Sequence, residues 1–139
     1  MLPKFNEEGY LPMGIHKATL NEIKQRFGSN SSKRKELFES FQSLVQLLEK
    51  HKESIKKFFL NGSYVTSKES PEDFDCILVV KNDFDFNSFE AKQLRHSKEL
   101  FNGHILMTME EDTINYHDAV DFFGHDRDRK AKGLVEVIL

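Results

Sequence analysis

The sequence predicts an α/β or α+β protein, a small mixed β-sheet backed by helices. Three observations carry this prediction. One long stretch repeats its apolar residues at helical spacing, several short runs rich in Ile, Leu and Val lie between turn residues, and the two kinds alternate along the chain. With 139 residues, 38% hydrophobic content and 13 phenylalanines, the chain is sized for a single domain, 1–139, with one core.

Residues 1–13 hold two of the three prolines and no sustained period, so they read as an extended arm lying on the domain, with a mobile tail as the alternative. Thr19 caps a helix over Leu20–Phe27 that Gly28 closes, and the Ser29-Asn30-Ser31-Ser32 loop offers the next N-cap. Leu37, Phe41, Leu44 and Leu48, flanked by Phe38 and Val45, recur at i, i+4, i+7 and i+11, which predicts an amphipathic helix over 33–53. The apolar runs at 55–60 and 73–80 read as strands joined by a turn over 62–71. A helix over 88–101 is expected from Phe89, Leu94, Leu100 and Phe101, and a third strand over 104–109 after the Asn102-Gly103 break. Asp112 or Thr113 is expected to cap a helix reaching Phe123 and closed by Gly124, and residues 134–139 form a terminal strand.

Composition excludes several function classes. A net charge of −3, from 20 basic and 23 acidic residues, is not that of a protein that coats nucleic acid, so no extended nucleic-acid surface is expected. The locally basic stretches Lys33-Arg34-Lys35 and Arg127, Arg129, Lys130 and Lys132 read as solvated surface or a charged rim, phosphate contact being the alternative. Cys76 is the single cysteine, so an intrachain disulfide and a thiolate-rich zinc site are excluded, and it is expected to be a small core residue. No apolar run approaches the roughly 18–20 residues that span a bilayer. The N-terminus lacks the basic-then-apolar layout of a secretory signal, so a cytoplasmic protein without membrane association is expected.

The stretch that carries chemistry is Phe59-Leu60-Asn61-Gly62-Ser63, then nine residues, then Asp73-Phe74-Asp75 leading into Cys76-Ile77-Leu78-Val79-Val80. On a strand, residues i and i+2 project to one face, so Asp73 and Asp75 present two carboxylates side by side. Such a pair repels itself unless a cation lies between. A hard divalent ion, Mg²⁺ above all, suits oxygen donors and commonly brings the phosphates of a nucleotide. Gly62 lets a phosphate approach the backbone, and Ser63 supplies a hydroxyl and amide nitrogens at an expected helix N-terminus. The alternative for the two acids is a polar edge strand or a turn after Pro71-Glu72, and for Gly62-Ser63 alone an ordinary turn. His117, Asp121 and His125 fall at i, i+4 and i+8, but Gly124 is expected to end that helix first, which favours a solvated face over a zinc site.

These residues resemble the signature of the nucleotidyltransferase superfamily with the DNA polymerase beta-like fold: a hydrophobic strand, Gly-Ser, about ten residues, then Asp-hydrophobic-Asp before another strand. The likeness extends to small single-domain bacterial members with a leading Gly-Tyr-Leu-Pro-x-Gly-Ile-His arm, a Gly-Ser-x-Val-Thr-Ser-Lys segment and a closing Lys-Gly. Gly9-Tyr10-Leu11-Pro12, Gly14-Ile15-His16, Gly62 to Lys68 and Lys132-Gly133 match that layout, so the resemblance spans nearly the whole chain. It implies the nucleotidyltransferase fold, with Gly62, Ser63 and Lys68 on the nucleotide and Asp73 and Asp75 as catalytic ligands of one or two Mg²⁺ ions. The implied activity is transfer of a nucleoside monophosphate from an NTP to a hydroxyl on protein or RNA.

The resemblance also implies a third carboxylate on the strand over 104–109, where this sequence has no acid until Glu110, Glu111 and Asp112. His104 is the expected substitute base, since an imidazole takes up a proton near neutral pH; a half-buried, hydrogen-bonded histidine is the alternative. The missing acid favours a second function from another class, a catalytically inactive binding module such as an antitoxin or a defence-system partner. Minimal relatives of this type often occur in toxin-antitoxin or phage-defence gene pairs, which implies a protein partner.

Overall fold

A computed structural model describes residues 2–110, 121 and 124–139. Strands β1 (Ile15–Ala18), β2 (Ile55–Asn61), β3 (Phe74–Val80), β4 (Gly103–Met109) and β5 (Leu134–Val137) form one mixed sheet in the order β1-β5-β2-β3-β4. β1 is parallel to β5 and β3 to β4, while β2 is antiparallel to both β3 and β5. Helices α1 (Leu20–Phe27), α2 (Ser32–Glu49), α3 (Phe89–Leu94) and α4 (Ser97–Phe101) complete the mixed α+β architecture that the alternating pattern predicts.

Local sequence explains the helices. Thr19 and Glu22 form a reciprocal capping box, the Thr19 hydroxyl accepting from the Glu22 amide at 3.2 Å and the Glu22 carboxylate from the Thr19 amide at 3.1 Å. The Ser31 hydroxyl caps α2, and the stripe of Leu37, Phe41, Leu44 and Leu48 is buried along its length. The Phe41 ring stacks on Phe58 of β2 at 6.0 Å and meets Phe74 of β3 edge-on at 5.3 Å, which docks α2 across the two strands. Strand alternation then divides the residues: Phe58, Leu60, Phe74, Cys76, Leu78 and Val80 join the helix-side core, and Phe59, Asn61, Asp75, Ile77 and Val79 face the other way.

The structure departs from expectation at several boundaries. α2 ends at Glu49 rather than 53, because its apolar stripe stops at Leu48 and the chain tightens into a 3₁₀ turn over Lys52–Ser54. The helix expected over 88–101 is two, since His96, at φ −112° and ψ 29°, leaves the helical region between α3 and α4. β5 ends at Val137, and β1 was hidden because four residues with one strong strand former carry little signal without their partner β5. Of the helix expected over 112–123, only Asp121 lies among the described residues. The N-terminal arm lies against the body: Leu2 and Leu11 are buried, Arg26 donates to the Leu2 and Pro3 carbonyls at 2.8 and 2.6 Å, and Tyr10 forms a bridge with Thr66. No helix among the described residues is long and apolar enough to cross a membrane.

The largest correction concerns Arg34, which charge patterning places on solvated surface. It is 3% exposed, and among the described residues no carboxylate pairs with it. Its Nη1 donates to the Phe27 and Tyr64 carbonyls at 3.1 and 2.7 Å, its Nη2 to those of Thr66 and Lys68, and its Nε also to Lys68. The guanidinium lies 5.4 Å from the Tyr64 ring centroid. Arg34→Met is expected to lower the unfolding free energy by about 3–5 kcal/mol, because buried carbonyls lose their donors. Arg34→Lys is expected to cost nearly as much, since an ammonium cannot match a fork of donors; urea denaturation of both variants measures this.

Candidate functional site

β2 ends at Asn61, and the chain turns at Gly62 with φ +82° and ψ −168°, a region open to glycine and strained for other residues. A Cβ at this position would fall 2.3 Å from Asp75 Oδ2, so the glycine also makes room for that carboxylate. The expected helix N-terminus at Ser63 is only a 3₁₀ turn over Ser63–Val65. What fixes the segment beyond it is side-chain chemistry. The Thr66 hydroxyl donates to the Ser63 carbonyl at 2.7 Å and accepts from the Lys68 amide at 3.2 Å, Arg34 gathers the Tyr64, Thr66 and Lys68 carbonyls, and the Ser67 amide donates to the Gly9 carbonyl at 2.9 Å.

Asp75 lies opposite Asn61 in the antiparallel ladder and in register with His104 in the parallel one, so Asn61, Asp75 and His104 form a row across three strands on the face away from α1, α2, α3 and α4. Asp73 lies one residue before β3 rather than within it, and its Oδ2 is 3.4 Å from His104 Nε2. Burial pushes the Asp75 carboxyl above its ordinary value, and the neighbouring Asp73 charge adds to this; His104 and Lys132 pull it back. His104 therefore occupies the β4 position beside Asp75. Glu110 is six residues further on, roughly 20 Å along a strand, where it pairs with Lys56 at 3.5 Å; Glu111 and Asp112 lie outside the described residues.

Two clefts adjoin the acids. One, of about 420 Å³, is lined by Gly62, Asp75, His125, Arg127, Arg129 and Lys132 among others, so a carboxylate faces a cationic wall. The second, of about 380 Å³, is lined by Tyr10, Ser63, Thr66, Ser67 and Lys68, and Lys132 borders both. The cationic wall belongs to a turn organised by Asp126, whose Oδ1 accepts from the Asp128 and Lys130 amides, each at 2.9 Å. The Tyr10 hydroxyl donates to Asp126 Oδ2 at 3.0 Å, tying the arm to that turn and raising the Tyr10 pKa. Asp126 is held below its ordinary value, first by the Lys130 amide.

Thus Gly62, Asp73, Asp75 and His104 converge, and Ser63 and Lys68 line the neighbouring cleft. Asp73 and Asp75 are hard oxygen donors that fit a divalent cation. Among the described residues, no group of three or more His, Cys, Asp or Glu side chains is arranged to hold a metal, so a nucleotide's phosphates or water would supply the remaining positions. Of the ligand-like spacing at the C-terminal side, His117 lies outside the described residues, and His125 Nδ1 is 2.8 Å from the Asp121 carbonyl. Sequence reasoning missed Asn61 and the Tyr10-Asp126 tie, and it gave Lys132 no place beside Asp75. The Asp126-Arg127-Asp128 run carried a turn signal for the second of these.

The chain belongs to DUF6932, a family of unknown function, whose model matches residues 3–138. No curated protein and no solved structure matches it.

Because Asp75 is harder to ionise in the fold than in the unfolded chain, its charge destabilises the native state, and that penalty is fully present above the folded pKa. Asp75→Asn is therefore expected to raise the thermal midpoint at pH 7. The advantage should shrink as pH falls through the folded pKa and vanish below the unfolded value near 3.9. Thermal melts of both proteins from pH 3 to 7 check the sign. Gly62→Ala is expected to cost about 1–3 kcal/mol, from the positive φ and the crowding of Asp75, measured by urea denaturation.

Proposed function

We propose that this member of DUF6932 is a cytoplasmic nucleotidyltransferase-fold protein that binds an NTP with Mg²⁺ over Asp73 and Asp75. It transfers the nucleoside monophosphate to a hydroxyl on protein or RNA. The observation that carries the reading is the contact between its two half-motifs: Gly62 leaves just enough room for the Asp75 carboxylate, so the Gly-Ser turn and the acid pair make one site. The order of elements supports it too, an antiparallel strand pair flanking the Gly-Ser turn and then a parallel strand beside the acids.

A Mg²⁺ ion held there supplies charge neutralisation at the triphosphate and polarises the reacting phosphate. Asp73 and Asp75 would hold it through carboxylate oxygens. Ser63 and Lys68 offer a hydroxyl and an ammonium to the phosphates beyond, and Lys132, bordering both clefts, offsets their charge. His104 is exposed with its Nε2 3.4 Å from Asp73, so in this reading its other ring nitrogen, Nδ1, takes the acceptor's proton as the acceptor oxygen bonds to the α-phosphorus and pyrophosphate departs.

A second reading, a catalytically inactive binding module such as an antitoxin or a defence-system partner, is favoured by one specific observation. The β4 position in register with Asp75 is His104 rather than an acid.

Incubation of the protein with α-phosphorus-labelled NTPs, Mg²⁺ and cell-extract protein or RNA is expected to label an acceptor. Asp75→Asn should reduce that labelling by roughly two to three orders of magnitude. Labelling indifferent to Asp75 would sink the enzyme. An absence of Mg²⁺-dependent NTP binding by calorimetry removes the enzyme and leaves the binding module, which partner capture unchanged by Asp75→Asn then supports.

A further inference from the structure

Asn61 is the last residue of β2 and is paired with Asp75 in the ladder. Directly opposed residues project to the same face with Cβ atoms about 4.5–5.5 Å apart, a span that a carboxamide-carboxylate hydrogen bond bridges. Asn61 is 0% exposed, and among the described residues neither its Oδ1 nor its Nδ2 has a hydrogen-bond partner. Buried polar atoms are almost always paired, and a leucine of similar size would spare the fold two unmade hydrogen bonds. The preceding residues Phe58, Phe59 and Leu60 are all apolar and buried, so the strand offers Asn61 no polar company of its own. Meanwhile the Asp75 carboxylate lies against Gly62, one residue further on.

We infer that Asn61 is a positioning residue for Asp75, its Nδ2 donating to the inner carboxylate oxygen while the outer oxygen holds a divalent cation. This rests on the cation reading of Asp73 and Asp75 and deepens it. A donor hydrogen-bonds a charged carboxylate more strongly than a neutral acceptor, so the bond suits a carboxylate that also holds a cation. It also restricts the carboxylate to one orientation, which a mobile acid on an open cleft would lack. His104 flanks Asp75 on the opposite strand, so the acid has a neutral donor on one side and an imidazole on the other.

The test uses the full chain and Mn²⁺ alone as the probe, titrated with the free ion followed by electron paramagnetic resonance, for wild type, Asn61→Leu and Asn61→Thr. Asn61→Leu is expected to weaken Mn²⁺ binding about tenfold or more while raising the thermal midpoint. Asn61→Thr, which keeps a short donor, should recover part of the affinity. A purely structural asparagine would give the reverse pattern, lower stability with unchanged affinity in the folded fraction. Mn²⁺ affinity in folded Asn61→Leu within twofold of wild type overturns the inference, as does a wild type that binds no Mn²⁺ at millimolar concentration. Asn61-dependent Mn²⁺ binding in a protein that neither binds nor transfers NTP upholds the inference and removes the nucleotidyl reading, so the two fail separately.

Discussion

A guanidinium sealed inside the protein, with carbonyl oxygens in place of a carboxylate, organises everything around it. An unpaired buried charge costs several kcal/mol, and burial pulls the Arg34 pKa down from its ordinary value as that cost requires. The charge is tolerated because its donors meet the partial negative charge of the Phe27, Tyr64, Thr66 and Lys68 carbonyls. One of these belongs to the end of α1 and three to the segment after Gly62, so α2 reaches across and fixes that segment in a single conformation. The N-terminal arm pairs with it through Tyr10 and Thr66, and the tie from Tyr10 to Asp126 carries the order on to the cationic turn. One side chain on α2 thereby holds one wall of the site directly and is connected to the other through Tyr10.

The sheet separates stability from chemistry by its alternation. Its helix-side face is apolar from Phe58 to Val80, closed by the stacked rings of Phe41 and Phe58. Its other face begins with buried Phe59, Ile77 and Val79 and ends, at one edge of the cleft, in the polar row of Asn61, Asp75 and His104. The row works against the fold: Asp75 is harder to ionise than in water, and Asn61 holds two polar atoms unpaired among the described residues. A sequence selected for stability alone would put apolar residues at both positions. Groups kept at a cost to stability, beside a glycine whose turn leaves room for one of them, mark where a ligand's energy would be recovered.

Local rules made much of this legible. The Thr19 capping box, the Leu37 to Leu48 stripe and the β2-turn-β3 order depend on residues close in sequence, and they are where periodicity and capping place them. Gly62 and Asp75 followed from the strand-turn-strand order, whereas His104 was reached only through the resemblance, its place beside Asp75 being set by the β3–β4 pairing. Features set by distant partners were not legible. β1 exists through its pairing with β5, more than a hundred residues away in sequence. Arg34 between two lysines looks like any solvated basic triplet, and only the carbonyls that converge on it distinguish it. Asn61 next to a glycine reads as a turn signal, and its burial comes from tertiary packing that no spacing encodes.

The charge count at the site bears on what a missing acid does. Three carboxylates would leave a deep negative well that two divalent cations are needed to fill. Here two carboxylates meet Lys132 within electrostatic reach of Asp75, with Arg127 and Arg129 lining the same cleft. The protein's own cations already offset part of the acid charge. In the proposed reading, one divalent ion and the wall's cations therefore suffice for an anionic triphosphate, and replacing the third acid by an imidazole reduces the cation requirement without removing the attraction for phosphate. Deprotonating the acceptor is a separate demand that falls on His104. Binding and transfer thus rest on different residues, and the loss of the third acid presses on transfer first.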